Sequence, residues 1–177
     1  TLYVGTSGKG VLRYVPQSSS WVRLSQGLKN RDGLIENFIR VLVIDQDQAI
    51  WAGTFDGGVF RSTDGGTTWR PISRRLPNDS IRGIVFSGTD VIVATGNGIF
   101  KTSDHGKRWE AINKGLKSLS IQTLIASVDG CLYAGTHQGV FRSDDGRTWI
   151  AVNQGLAGGS LPVPFRFQEY HDQRAPF

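Results

Sequence analysis

Three aspartates recur at comparable places along this 177-residue chain and could do chemistry together: Asp45, Asp90 and Asp129. Two carboxylates hydrolyse a glycosidic bond when they flank it at about 5–5.5 Å or 6.5–9.5 Å. Each of the three, however, sits in a short polar segment between two apolar runs. There aspartate is a routine hairpin residue. Gly5-Thr6-Ser7-Gly8-Lys9-Gly10 has the composition of a phosphate loop, but no helical pattern follows it. His105, His137 and His171 share no metal-ligand spacing. Asp45-Gln46-Asp47 lacks the glycine and glutamate of a calcium loop. Cys131 is the single cysteine, which excludes an internal disulfide and a cysteine-based zinc site. The expectation is no catalytic residue, no metal and no cofactor.

The elements that must position these residues form a repeat. Leu2-Tyr3-Val4-Gly5-Thr6 matches Ile50-Trp51-Ala52-Gly53-Thr54, Val91-Ile92-Val93-Ala94-Thr95 and Leu132-Tyr133-Ala134-Gly135-Thr136. The closing threonines are 48, 41 and 41 residues apart (54−6, 95−54, 136−95). A Gly-Val-Phe-Arg run follows at Gly10, Gly58, Gly98 and Gly139, with Arg13, Arg61, Lys101 and Arg142 at its end. Another run precedes each of the last three threonines: Ile39–Ile44, Ile81–Phe86 and Ile121–Ile125. A fourth run ends near Leu28, Leu76, Leu116 and Leu156. Four short β-rich runs in about 41 residues, with no amphipathic helix, make one propeller blade. The fold class is all-β, a propeller of about four four-stranded blades, either a small closed ring or part of a larger one. Blades occupy 1–160, as a partial unit 1–28 and units 39–76, 81–116 and 121–156. Residues 161–177 hold a candidate closing strand, Leu161–Phe167, opposed by Pro162 and Pro164, and an extended tail.

Composition narrows the classes. No apolar run approaches the ~20 residues of a membrane helix. The net charge of +5 is spread without a basic block, which argues against nucleic acid as a partner. Methionine is absent, so a processed product or a fragment is expected.

Between the third and fourth runs lies Ser62-Thr63-Asp64-Gly65-Gly66-Thr67-Thr68-Trp69. Thr102–Trp109 keeps its frame, and Ser143–Trp149 keeps it with one residue fewer. Tyr14–Trp21 retains the tryptophan alone. Ser-x-Asp-x-Gly-x-Thr-Trp after such a strand resembles the Asp-box, or bacterial neuraminidase repeat. The resemblance covers nearly the whole chain to Leu156. It implies a rim turn built by Ser62, Asp64, Gly66, Thr68 and Trp69, by Asp104, Gly106 and Trp109, and by Ser143, Asp145, Gly146, Thr148 and Trp149. Aspartate closes such a turn by accepting backbone N–H bonds, glycine takes its left-handed position, and tryptophan plugs the space between strands.

The Asp-box family spans sialidases, xyloglucanases, sortilin-like receptors and non-enzymatic bacterial propellers. The last include the photosystem II assembly and stability factor group. A sialidase would need a converging arginine triad and a Tyr/Glu pair. Here the strand-end cations and Tyr3 and Tyr133 are repeat-equivalent, and the Arg-Ile-Pro signature is missing. The expected function is therefore a non-catalytic scaffold for protein–protein interaction or complex assembly, including a membrane-associated complex. The alternative is a fragment of a carbohydrate-active protein, a glycosidase or glycan-binding module. The resemblance favours an exported location. Candidate partner-binding residues lie where the repeat fails: Arg31 and Phe38 in the 29–38 insertion, Arg40 and Arg82 in the first runs, and Phe165 and Arg166 in the tail.

Overall fold

The computed structural model describes residues 1–29, 37–74 and 76–156. Within them the chain forms four antiparallel sheets in succession. The first has three strands: β1 (Tyr3–Thr6), β2 (Gly10–Val15) and β3 (Ser20–Leu24). The second holds β4 (Ile39–Ile44), β5 (Ile50–Thr54), β6 (Val59–Ser62) and β7 (Arg70–Pro71). The third holds β8 (Ile81–Ser87), β9 (Asp90–Thr95), β10 (Gly98–Thr102) and β11 (Glu110–Ala111). The fourth holds β12 (Ile121–Ala126), β13 (Leu132–Thr136), β14 (Gly139–Ser143) and β15 (Ile150–Ala151). Each sheet is a simple meander, pairing strands in chain order. This is the all-β, propeller-type architecture.

Inner strands pack in sequence: β1 on β4, β4 on β8, and β8 on β12. No comparable packing returns from β12 to β1 among the described residues. The strand proposed for Leu161–Phe167 lies outside them.

Strand alternation explains the three cores. Ile50, Ala52 and Phe60 face the first sheet and meet Val11, Leu24 and Leu28. Trp51 and Val59, on the opposite face, meet Val91, Val93 and Phe100 of the third. Ile92, Ala94 and Ile99 then meet Leu132, Ala134 and Phe141 of the fourth. The period of two thus gives every middle sheet two apolar faces. Each sheet has a leading face toward the previous sheet and a trailing face toward the next.

The outermost strands differ from expectation. β7, β11 and β15 are two residues long and stop well before Leu76, Leu116 and Leu156. Those leucines, like Leu28, close a turn instead: their N–H groups donate to Ser25, Ser73, Asn113 and Asn153 carbonyls. A side chain enforces the turn. Ser73 Oγ, Asn113 Oδ1 and Asn153 Oδ1 accept the N–H of Val59, Ile99 and Val140, at 3.0, 2.7 and 2.7 Å.

Candidate functional site

The octamer turns were expected to be structural, and each is a closed hydrogen-bonded ring. Ser62 ends β6; its hydroxyl donates to Asp64 Oδ1 at 2.8 Å and accepts the Gly66 N–H at 2.9 Å. Asp64 then accepts the Thr68 hydroxyl at 2.6 Å and the Thr68 N–H at 2.9 Å. Gly66 sits at φ +86°, which the turn requires. Thr102, Asp104 and Gly106 repeat the arrangement, with the Arg108 N–H donating to Asp104 at 2.9 Å. The shorter fourth turn compensates by feeding adjacent N–H groups of Arg147 and Thr148 to Asp145, at 2.8 and 2.7 Å.

These donors hold the carboxylates ionised. The Thr68 hydroxyl and N–H, with Ser62, lower Asp64 to about 2. The Arg108 N–H lowers Asp104, and the Thr148 and Arg147 N–H groups lower Asp145 further. A carboxylate whose folded pKa lies below its unfolded value stabilises the fold above the unfolded pKa. That contribution fades as pH falls through the folded pKa. The urea midpoint should therefore fall between about pH 4 and about pH 2. In Asp64→Asn that slope should be shallower; an unchanged slope would remove Asp64 from the acid response.

The tryptophans lie between sheets, not between strands of one sheet. Trp69, Trp109 and Trp149 donate their indole N–H to carbonyls of Leu24, Ile72 and Ile112 on the preceding sheet, at 3.0, 3.1 and 2.6 Å. These carbonyls lie at or just past the ends of the outer strands β3, β7 and β11.

The carboxylates of the hairpin turns are occupied within their own sheets. Burial raises Asp45, but the Trp51 indole, the Ala49 N–H and Arg61 outweigh it and leave the pKa lowered. Asp90 pairs with Lys101 at 3.0 Å, and Asp129 accepts the Ser127 hydroxyl. Arg142 pairs with Asp144 at 2.6 Å. Cys131 donates to Asp144 at 3.2 Å, which raises its pKa and keeps the thiol protonated. The cations Arg61, Lys101 and Arg142 are thus engaged sheet by sheet. A cleft of about 450 Å³ between the second and third sheets is lined by Asp45, Asp47, Trp51, Phe86 and His105. Asp45 enters it already hydrogen-bonded. No group of three metal-ligating side chains exists among the described residues.

The inner-strand arginines have a different setting. The β4–β5 register shifts between Ile39 and Val41, the β8–β9 register between Ile81 and Gly83, and the β12–β13 register between Ile121 and Thr123. Arg40, Arg82 and Gln122 are the skipped residues. A bulge re-aims the side chain it carries, so the repeat builds one bulge in each full sheet and fills it with a polar residue. Arg40 lies over the Phe55 ring at 4.3 Å, and Phe55 packs against Phe38 at 6.5 Å between centroids. Both phenylalanines are half exposed. Burial and then the like charge of Arg82 lower the Arg40 pKa. Among the described residues neither arginine has a carboxylate within ion-pair distance, and the buried Arg82 Nε meets no acceptor. Gln122 is engaged by His137 at 3.0 Å and Ser120 at 3.2 Å.

The structure brings together Phe38, Arg40 and Arg82 of the expected contact set. Arg31, Phe165 and Arg166 lie outside the described residues. Sequence reasoning missed Phe55, which has no repeat signal. It also missed the work of the repeated threonines. Thr6, Thr54, Thr95 and Thr136 donate to the carbonyls of Gly10, Gly58, Gly98 and Gly139 at 2.8–3.0 Å. Each threonine Oγ1 also accepts a loop N–H, from Lys9, Gly57, Asn97 and Gln138, so each hydroxyl locks its hairpin from both sides.

No family model and no curated protein sequence matches the chain. Solved structures do. A GH74 xyloglucanase from Xanthomonas campestris superposes with TM-score 0.65 at 17% identity, over 86% of this chain and 28% of that one. YCF48 bound to D1 peptide gives 0.59 at 22% identity, over 81% and 48%. PorZ, a bacterial surface component of the type-IX secretion system of Porphyromonas gingivalis, gives 0.58 at 15%, over 83% and 24%. At these identities the likeness is one of propeller fold. The chain spans about a quarter to a half of the structures it matches. No described helix is long and apolar enough to cross a membrane.

Proposed function

We propose that the chain is a non-catalytic Asp-box propeller scaffold that binds an acidic segment of a protein partner on the inner-strand ends. One observation supports the reading: Arg40 and Arg82 stand close enough to repel, on bulges of adjacent inner strands, with no carboxylate within ion-pair distance among the described residues. Keeping two like charges together costs free energy unless an anion satisfies them. The exposed Phe38–Phe55 pair beside Arg40 adds an apolar anchor of the kind that interface centres use. Arg31, Phe165 and Arg166, which lie outside the described residues, belong to the partner-binding set in this reading. Membership of the photosystem II assembly-factor-like group, an assembly role in a multisubunit or membrane-associated complex, and an exported location belong to the same proposal. The sheet-by-sheet engagement of Asp45, Asp90 and Asp129 argues against a glycosidase pair within this chain.

The test is binding of fluorescein-labelled acidic peptides, followed by polarisation, with a glycan array alongside. Arg40→Glu with Arg82→Glu should weaken peptide binding at least tenfold (about 1.4 kcal/mol), and rising salt should weaken the wild type. The melting temperature should stay within a few degrees, since neither arginine is in an ion pair among the described residues. No peptide binding by the wild type, or binding unaffected by charge reversal, would sink the proposal. Glycan-array binding would replace it with the carbohydrate reading.

A further inference from the structure

Each strand-end cation faces one residue of the outer strand. Arg13 pairs with Val22, Lys101 with Glu110 and Arg142 with Ile150. The third sheet thus supplies its own countercharge. The second sheet instead sets a cation against a cation, pairing Arg61 of β6 with Arg70 of β7. Like charges directly opposite on a sheet destabilise it. Arg61 is only partly neutralised. Its ion pair with Asp45 is 3.5 Å long, against 3.0 Å for Lys101 and 2.6 Å for Arg142. Asp45 already accepts the Ala49 N–H and the Trp51 indole at 2.8 Å each, and the buried Arg61 Nε meets no acceptor among the described residues. Arg70 is exposed and has no ion pair among the described residues.

Both arginines line a cavity of about 270 Å³, with Thr63, Asp64 and Thr68 of their own sheet and His105 of the next. Asp64 brings one negative charge, but its oxygens take the Ser62 hydroxyl and the Thr68 hydroxyl and N–H. His105 holds φ +57° at the turn position where the second sheet has Gly65, at φ +68°. A left-handed residue other than glycine carries backbone strain, and such strain gathers at functional sites. At this position the imidazole reaches the cavity wall. His105 also lines the cleft of about 450 Å³, so the two spaces adjoin. Gln46, Asp47, Thr89 and Ser103 add polar groups to that cleft. The strand register puts this region at the hairpin end of β4 and β5, with the Arg40 bulge at the other end.

We propose that this is a binding site for a phosphate monoester of a small polyol. The oxyanion sits between Arg61, Arg70 and His105, and supplies the countercharge that Glu110 supplies in the third sheet. Guanidinium groups bind phosphate oxygens through paired N–H donors, and the Thr63 hydroxyl is a further donor. Two guanidinium groups and an imidazole offer more than a carboxylate uses. A phosphate monoester has three terminal oxygens and a charge of about −1.5 to −2 at pH 7. The polyol body extends past His105 into the larger cleft, where Gln46, Asp47, Thr89 and Ser103 meet its hydroxyls. The site does not depend on what the inner-strand arginines bind.

Isothermal titration calorimetry with glucose 6-phosphate, in phosphate-free buffer, tests this. The ester should bind saturably, inorganic phosphate about tenfold more weakly, and glucose not at all. Arg70→Glu should abolish binding and raise the melting temperature, because it recreates the opposed pair that Lys101 and Glu110 form. His105→Gly should weaken binding about fivefold without loss of stability, since glycine adopts this φ at no steric cost. A merely structural role for either residue gives no such loss of binding in a protein that melts no lower. Arg74→Glu makes the same charge change on an exposed arginine outside the cavity and should bind as the wild type does. So should the protein carrying Arg40→Glu with Arg82→Glu. No binding of the ester by the wild type overturns the proposal. So does glucose or phosphate bound as tightly as the ester, and so does undiminished binding by Arg70→Glu. Binding lost equally in Arg74→Glu also overturns it, because a diffuse attraction to basic surface then suffices.

Discussion

Trp149→Ala should lower stability by about 3–5 kcal/mol, the range for truncating a buried tryptophan. Trp149 is 2% exposed and sits among Ile112, Leu132 and Phe141 between the third and fourth sheets. Two losses combine. The apolar contact vanishes on both sheets, and the Ile112 carbonyl loses its donor in a dry environment. At roughly 2–4 °C per kcal/mol for a domain of this size, the melting temperature should fall by about 6–20 °C. Among the described residues the inner strands pack from each sheet onto the next, so the loss falls on one interface. The fourth sheet should therefore melt in an early phase, as a repeat array does when one interface weakens. Trp149→Phe separates the two losses, because it keeps most of the ring but not the N–H. It should cost about 1–3 kcal/mol. Trp109→Ala should cost less than Trp149→Ala, since Trp109 is only partly buried. Calorimetry on the four proteins checks the order. A Trp149→Ala melt within a degree of wild type would mean that the inter-sheet tryptophans do not hold the sheets together.

Much of this architecture was legible because a repeat compares a sequence with itself. The threonines at 6, 54, 95 and 136 fixed the register of all four units, and strands β5, β9 and β13 end on them. Where the repeat reading failed, the cause was a feature that periodicity does not encode. The outer strands are short because side chains of Ser73, Asn113 and Asn153 take over the pairing. A polar residue of that kind reads equally well as an exposed strand position. The tryptophans span sheets because their carbonyl partners lie 37 or 45 residues away, beyond any local pattern. The candidate site was half legible. Arg40 and Arg82 stood out as repeat-equivalent cations on inner strands. That each occupies a bulge, and so points out of its ladder, depends on pairing register. Phe55 follows Thr54 at a loop position where the other units carry Ser7, Gly96 and His137, so only its contact with Arg40 identifies it.

Gly115→Ala should be among the costliest single-methyl additions in the chain, at roughly 2–5 kcal/mol. Two penalties add. A left-handed alanine costs about 1–2 kcal/mol, and Gly115 has φ +93°. The new Cβ would also lie 2.0 Å from the Trp149 carbonyl oxygen and 3.1 Å from its carbon. Overpacking of that kind typically costs another 1–3 kcal/mol. Backbone cannot rotate aside as a side chain can, and this backbone is pinned. The Trp149 N–H donates to Lys114 at 2.8 Å, and its indole to Ile112. Moving the carbonyl therefore strains both bonds and the inter-sheet contact at once. Gly130→Ala is the matched control. Gly130 is left-handed at φ +84° with open space around its Cβ position, so only the conformational penalty of about 1–2 kcal/mol applies. The difference between the two urea midpoints isolates the collision from the conformation. Equal midpoints would show that the sheets separate freely at this point. The close approach would then play no part in setting their spacing. A large difference would make the glycine–tryptophan contact the element that fixes how the third and fourth sheets stack. Gly27 against Trp69 makes the same contact between the first two sheets, at 2.2 Å. Between the second and third sheets, which carry Arg40 and Arg82, the corresponding outer contact is the Trp109 indole on the Ile72 carbonyl at 3.1 Å.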